Sequence, residues 1–280
     1  MCIGAIAGDI IGSRFEGKIK PSRKDFLLFN KKTCFTDDTV HTLALAESIL
    51  TGKDYSERLR YYYRRYPYAG YGSGFKAWAK STEVLEAYNS WGNGSAMRVS
   101  PIAYAFNTVE EVMEEAKKSA EVTHNHEEGI KGAQAVAVSI FMARKKATKE
   151  DIKQKIVDMG YDLTDVKEGF EISCQKTIPQ AIMAFLDSTD FVDAIRRAIM
   201  FKGDSDTLAC IAGSIAQPFY GSYLEAIPKE VLVGTFERLP NDLAEIAVEF
   251  TCAYIDDHFE RPAEMSAQAE FYDLFRSIFS

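Results

Sequence analysis

Apolar residues recur along most of this chain at the three-to-four-residue spacing of an amphipathic helix, and two-residue alternation is scarce. Residues 40–49 are rich in leucine and alanine. Residues 108–120 open with Thr108-Val109-Glu110-Glu111, the spacing of a capping box. In that motif a threonine hydroxyl and a glutamate carboxylate each satisfy the other's backbone N–H. Residues 128–144 carry Ile130, Ala133, Ala137, Ile140 and Phe141 on one face, and Thr148-Lys149-Glu150-Asp151 marks another helix start. Residues 179–185, 190–200, 208–217, 242–255 and 263–279 continue the series. Two stretches, 132–143 and 207–216, are small and uncharged, which predicts burial on most sides. No Pro-, Gly- or Ser-rich linker interrupts the chain. The pattern predicts a single all-α domain of many helices spanning residues 1–280.

Composition narrows this picture. The chain has 280 residues, 46% of them hydrophobic and 26% charged, as in an ordinary globular protein. A net charge of -8 argues against nucleic-acid binding driven by bulk charge. The five cysteines (Cys2, Cys34, Cys174, Cys210, Cys252) are odd in number and show no CxxC spacing, so reduced thiols in a cytoplasmic protein are expected. The apolar N-terminus lacks a basic leader and is interrupted by Asp9, unlike a signal peptide. No apolar run approaches the length of a membrane span.

Two acidic clusters carry the clearest chemistry: Phe35-Thr36-Asp37-Asp38-Thr39 and Gly203-Asp204-Ser205-Asp206-Thr207. Each precedes an uncharged helical run. Asp and Thr there are ordinary N-cap residues, yet a cap needs one side-chain oxygen and each cluster offers several. Carboxylates this close repel unless a cation neutralises them. Oxygen ligands suit Mg2+, Mn2+ or Ca2+. Brought together, the clusters would make a binuclear metal site.

Weaker signals surround them. Gly8 to Glu16 pairs acids with flexible glycines, and Glu16 adjoins Gly17 where a loop could carry an acid or base; a solvated surface glutamate is the plainer reading. Gly92-Asn93-Gly94-Ser95-Ala96-Met97-Arg98 reads as a turn whose N–H groups could cradle phosphate, without the lysine of a P-loop. His124 and His126 lack further zinc ligands nearby, so a polar contact or helix cap is expected. The run Tyr61 to Tyr68, with Arg64 and Arg65, reads as an aromatic helix end.

Taken in order, these five segments resemble the ADP-ribosylglycohydrolases, also called the dinitrogenase reductase-activating glycohydrolase family. The likeness covers about residues 1–221 and rests most on the TDDT and GDSDT elements. It implies a compact all-α bundle with two Mg2+ (or Mn2+) ions in a cleft. Thr36, Asp37, Asp38, Asp204, Asp206 and Thr207 would be metal ligands. Glu16 would be the mobile glutamate of the family's first loop and, with Asp37 and Asp38, would manage protons. Asn93, Gly94, Ser95, Met97 and His124 would contact ADP-ribose, and residues 66–75 would flank the cleft.

The implied reaction is hydrolysis of the bond at the distal ribose of an ADP-ribosylated acceptor, with ADP-ribosyl-arginine on a protein the leading expectation. Serine-linked ADP-ribose, O-acetyl-ADP-ribose, poly(ADP-ribose) and a modified nucleic acid stay open. Other readings are a different binuclear phosphoesterase and a non-catalytic ADP-ribose-binding protein. A monomer is the default.

Overall fold

The computed structural model describes residues 2–17, 21, 24–81, 86–221 and 223–254. Its first half contains α1 (Ile3–Ser13), α2 (Asp37–Thr51), α3 (Tyr55–Arg65), α4 (Ser73–Lys80), α5 (Gly94–Met97), α6 (Ile102–Ala105) and α7 (Val109–Glu121). Then come α8 (Glu127–Arg144), α9 (Lys149–Asp158), α10 (Cys174–Leu186), α11 (Phe191–Met200), α12 (Ser205–Tyr220), α13 (Tyr223–Ala226), α14 (Lys229–Phe236) and α15 (Asn241–Ala253). The expected all-α class holds. Among the described residues the only β pairing is one bridge between Gly92 and Ser173. The helix expected over 263–279 lies outside the described residues.

Local chemistry sets the helix starts. Thr108 with Glu111, and Thr148 with Asp151, form complete capping boxes at α7 and α9. Asp190 caps α11 by accepting from Asp193 N at 2.8 Å. Helix α10 begins five residues before the expected Pro179. That proline cannot donate to the carbonyl one turn back, but the helix is already nucleated where Cys174 N donates to Trp91 O at 3.0 Å.

Helix α12 is the axis of the molecule: every residue from Ser205 to Pro218 is buried. Helices α1, α8, α10 and α11 pack around it. Against α1 the approach is backbone to backbone. A Cβ on Gly8 would sit 2.1 Å from Ala209 O, and one on Gly12 would sit 2.4 Å from Ser205 O. This corrects the expectation of a flexible glycine segment. Gly8 and Gly12 are helical, and their missing side chains let α1 lie in contact with α12. Of this segment's glycines, Gly17 alone, at φ +75°, has the backbone of a turn.

That contact fixes the site. It places Asp9, on the buried face of α1, level with the N-terminus of α12. Helix α2 also packs on α1, which brings its N-terminus to the same place. The aromatic run on α3 has a structural job: Tyr62 and Tyr63 are buried, and Arg65 Nη2 and Tyr66 Oη both donate to Asp242 of α15, at 2.6 and 2.5 Å.

Candidate functional site

The two acidic clusters meet at the facing N-termini of α2 and α12. Thr207 Oγ1 donates to Asp38 Oδ2 at 3.3 Å, bridging positions 169 residues apart. Carboxylate oxygens of Asp9, Asp38 and Asp206 lie within 4.8 Å of one another, and so do those of Glu16, Asp204 and Asp206. Asp37 and Asp38 occupy the first turn of α2, and Asp206 that of α12. The helix dipoles therefore favour their ionised forms.

Asp9 is a site residue that the sequence reading did not assign. Fully buried, it accepts four hydrogen bonds at the start of α2. Thr36 N (2.9 Å), Thr39 N (3.0 Å) and Thr39 Oγ1 (2.5 Å) donate to its Oδ2, and Thr36 Oγ1 (2.7 Å) donates to Oδ1. Asp9 thereby takes over much of the capping that Asp37 and Asp38 would otherwise supply, leaving their carboxylates for other work. The signal was present: Asp9 is the single charge within the apolar run from Ile3 to Ile11, and isolated acids are rarely fully buried.

Burial raises the pKa of these acids. Asp9 is pushed up to about 6, against the opposing pull of its hydrogen bonds from Thr39 and Thr36. Asp37, Asp38 and Asp206 are held well above the usual carboxylate range by burial first and by neighbouring carboxylates second. No lysine or arginine forms an ion pair with these groups among the described residues. Asp38 Oδ1 is buried without a hydrogen-bond partner. An all-oxygen cluster with excess negative charge and an orphaned carboxylate oxygen fits a hard divalent cation.

The cluster forms one end of a cavity of about 410 Å³. Glu16, exposed, stands at its edge. Asn93, Gly94, Met97 and His124 line it, as do Gly70 to Phe75 in part. Asn93 Nδ2 donates to Asp204 Oδ2 at 2.8 Å and so orients that carboxylate. Two residues of the expected set do not face the cavity. The Ser95 hydroxyl is committed to Gly129 O at 2.7 Å, on α8, which leaves the residue's backbone for any contact from this loop. Thr36 is the N-cap of α2, with its hydroxyl donated to Asp9.

The histidines diverge. His126 caps α8, its Nδ1 accepting from Glu128 N at 3.1 Å. His124 is buried against the turn at Gly94 and lines the cavity. His41, one turn along α2 from Asp37 and Asp38, also lines it. Its ring lies 4.3 Å from Phe75, and neither ring nitrogen has a protein partner. The i, i+3 and i+4 spacing from the aspartates was its sequence signal. Phe170 and Ile172, both more than half exposed, form an apolar rim. A larger groove of about 910 Å³ beside Arg60 and Arg64 holds no comparable carboxylate cluster among the described residues.

Several known proteins are similar to this chain in sequence. The chain is 27% identical over 313 residues to ADP-ribosylhydrolase ARH3 of Gallus gallus, covering 80% of this chain and 85% of that protein. It is 25% identical to ADP-ribosylhydrolase ARH3 of Homo sapiens, covering 81% and 85%. The ADP-ribosylarginine hydrolase Tri1 of Pseudomonas putida is 26% identical, over 67% of this chain and 59% of that one. A solved structure, described as an ADP-ribosylglycohydrolase-related protein complex, superposes with a TM-score of 0.69 at 22% identity, covering 91% of this chain and 96% of that one, and so shares the fold. The ADP-ribosylglycohydrolase family model matches residues 1–257, from the helix bearing Asp9 past both acidic clusters, and the chain belongs to that family.

Proposed function

We propose that this protein removes ADP-ribose from a modified acceptor by hydrolysing the bond at C1 of the distal ribose. One observation supports this above the rest. Carboxylates from three separate segments (Asp9 and Glu16, Asp37 and Asp38, Asp204 and Asp206) converge at one end of a cavity whose other walls include Asn93, Gly94 and His124. The names of the relatives agree with that chemistry.

The proposed cofactors are two Mg2+ or Mn2+ ions, held by Asp37, Asp38, Asp204, Asp206 and Thr207, with Asp9 beside them; Thr36 would join only by turning its hydroxyl from Asp9 toward Asp38, whose Oδ2 is 3.4 Å away. Bound there, such ions supply positive charge that orients ribose hydroxyls and acidifies a water. The rest falls to the chain. Cleavage at C1 develops oxocarbenium character, which the surrounding carboxylates stabilise. The departing acceptor atom needs a proton and the incoming water must lose one. Glu16, at the cavity edge, is the proposed proton carrier, with Asp37 and Asp38 sharing the task. Asn93 holds Asp204 in place. Gly94 lets the turn lie close to His124; a Cβ there would be 3.0 Å from His124 Nε2.

Arginine on a protein is the proposed acceptor, by likeness to the Pseudomonas putida relative and because an acidic cavity edge suits a guanidinium. The protein is proposed to act as a cytoplasmic monomer. No described helix is long and apolar enough to cross a membrane. The test is release of free ADP-ribose from arginine-, serine- and O-acetyl-linked substrates, with Mg2+, with Mn2+ and with EDTA, beside an Asp37→Ala/Asp38→Ala double variant. Metal-dependent release from the arginine-linked substrate, absent in the variant, is expected. Release only from another linkage would reassign the acceptor. Turnover of generic phosphodiesters with ADP-ribose conjugates left intact would sink the proposal.

A further inference from the structure

Behind the cavity lies a buried cation with no carboxylate partner among the described residues. Arg98 is wholly buried, and two of its nitrogens, Nε and Nη1, have no hydrogen-bond partner. Its Nη2 donates to Ser119 O at 2.8 Å and to Thr123 Oγ1 at 2.9 Å. Thr123 is equally buried, and its Oγ1 lies 2.7 Å from His124 Nδ1. His124 Nε2 is on the other side of the ring, by the Gly94 turn of the cavity wall.

The direction of this chain follows from donor counting. A guanidinium only donates, so Thr123 Oγ1 accepts from Arg98. The hydroxyl then has one hydrogen to place. If His124 Nδ1 were protonated, Thr123 would accept twice and its own hydrogen would be buried without an acceptor, a cost comparable to a lost hydrogen bond. If Thr123 donates to Nδ1, the hydroxyl and the Nδ1 lone pair are both satisfied. We infer that Arg98 and Thr123 are positioning residues that lock His124 as a neutral imidazole with its proton on Nε2, presenting one N–H donor to an acceptor oxygen of the ligand. Burial and the Arg98 charge both hold the His124 pKa well below its ordinary value, which keeps the ring neutral. Burial lowers Arg98 itself only to about 10, so it stays a cation and a pure donor at neutral pH.

A neutral Nε2–H suits an anionic or ether oxygen and cannot accept a proton from substrate. His124 therefore binds and orients; it is no general base in this state. The identity of the acceptor oxygen as one belonging to ADP-ribose rests on the function proposed above, but the tautomer does not.

The experiment is 15N NMR of the histidine side chains in the full-length protein at neutral pH, with His124→Gln to assign the signal, followed by titration with ADP-ribose. The Nε2–H tautomer is expected in the ligand-free wild type. Thr123→Val should mix the tautomers and weaken ADP-ribose binding about tenfold, the scale of one lost hydrogen bond to a charged group. Thr123→Ser should restore both. Arg98→Met should mix the tautomers as well; if that protein does not fold, the two Thr123 variants decide the matter. A wild-type His124 that is doubly protonated or carries its proton on Nδ1 overturns the inference. So does a Thr123→Val protein with unchanged tautomer and affinity. The expected tautomers without any ADP-ribose binding would uphold the lock and sink the ligand assignment instead.

Discussion

The two acidic clusters are near-copies in sequence, yet the fold secures them differently. At the start of α2, the backbone and both threonines are tied to one buried acid of another helix, Asp9, through four hydrogen bonds. At the start of α12, Asp204 takes the N-cap position but its side chain caps nothing. Its carboxylate instead accepts from Asn93 on the turn before α5. The first cluster is thus anchored in the core, and the second is anchored to the cavity wall. Cutting the first anchor should register as lost stability, and cutting the second as altered binding.

The largest effect is expected where the clusters converge. Asp38→Asn or Asp206→Asn should cut turnover about a thousandfold, the scale of removing a group that manages protons or charge in a transition state. Circular dichroism should show the fold intact, because burial and mutual repulsion already disfavour these charges. Near-wild-type turnover in both variants would mean that the clusters are caps and nothing more.

Asp9→Ala comes next and tests the core anchor. It leaves the Thr36 and Thr39 donors buried and unpaired, so a loss of about 3 kcal/mol is expected in chemical denaturation. Asn93→Ala is the matching change at the other cluster. Its expected cost is about 1 kcal/mol of stability, with a rise in KM larger than the fall in kcat. Equal stability losses in the two variants would erase the contrast between the clusters.

A smaller effect separates metal from proton. Asp9 has a folded pKa of about 6 against an ordinary 3.8, so the folded state binds its proton more tightly than the unfolded state. The stability this gives is fully present below 3.8 and is lost as pH rises through 6. Asp38 and Asp206, held well above the usual carboxylate range by burial and neighbouring carboxylates, act in the same direction. A divalent cation replaces those protons, and binding it releases them. Mg2+ or Mn2+ should therefore raise the melting temperature by about 5 °C at pH 8 at concentrations far above Kd, and by clearly less at pH 5.5. An equal rise at both pH values would place the ion away from these carboxylates.

Much of the fold was legible because capping is local. The starts of α7, α9 and α11 depend on oxygens within three residues of the N–H groups that they satisfy. The α1 helix was not read, since its apolar, glycine-rich sequence has no cap and its glycines suggested a loop. Only α12, lying against it, makes those glycines a packing surface. In the same way, Ser95 stands inside a recognisable motif, but its hydroxyl direction is set by Gly129 of α8.

By itself, the sequence determined the helical class and the two acidic clusters, because periodicity and capping act over one or two turns. Tertiary structure decided which oxygens share a site. Asp9, Asp38 and Asp206 are far apart in the chain, and only the close crossing of α1 over α12, with α2 packed beside it, brings their oxygens within 4.8 Å. The state of His124 is likewise tertiary. It depends on Arg98, a neighbour through space whose charge and donor direction no local pattern records.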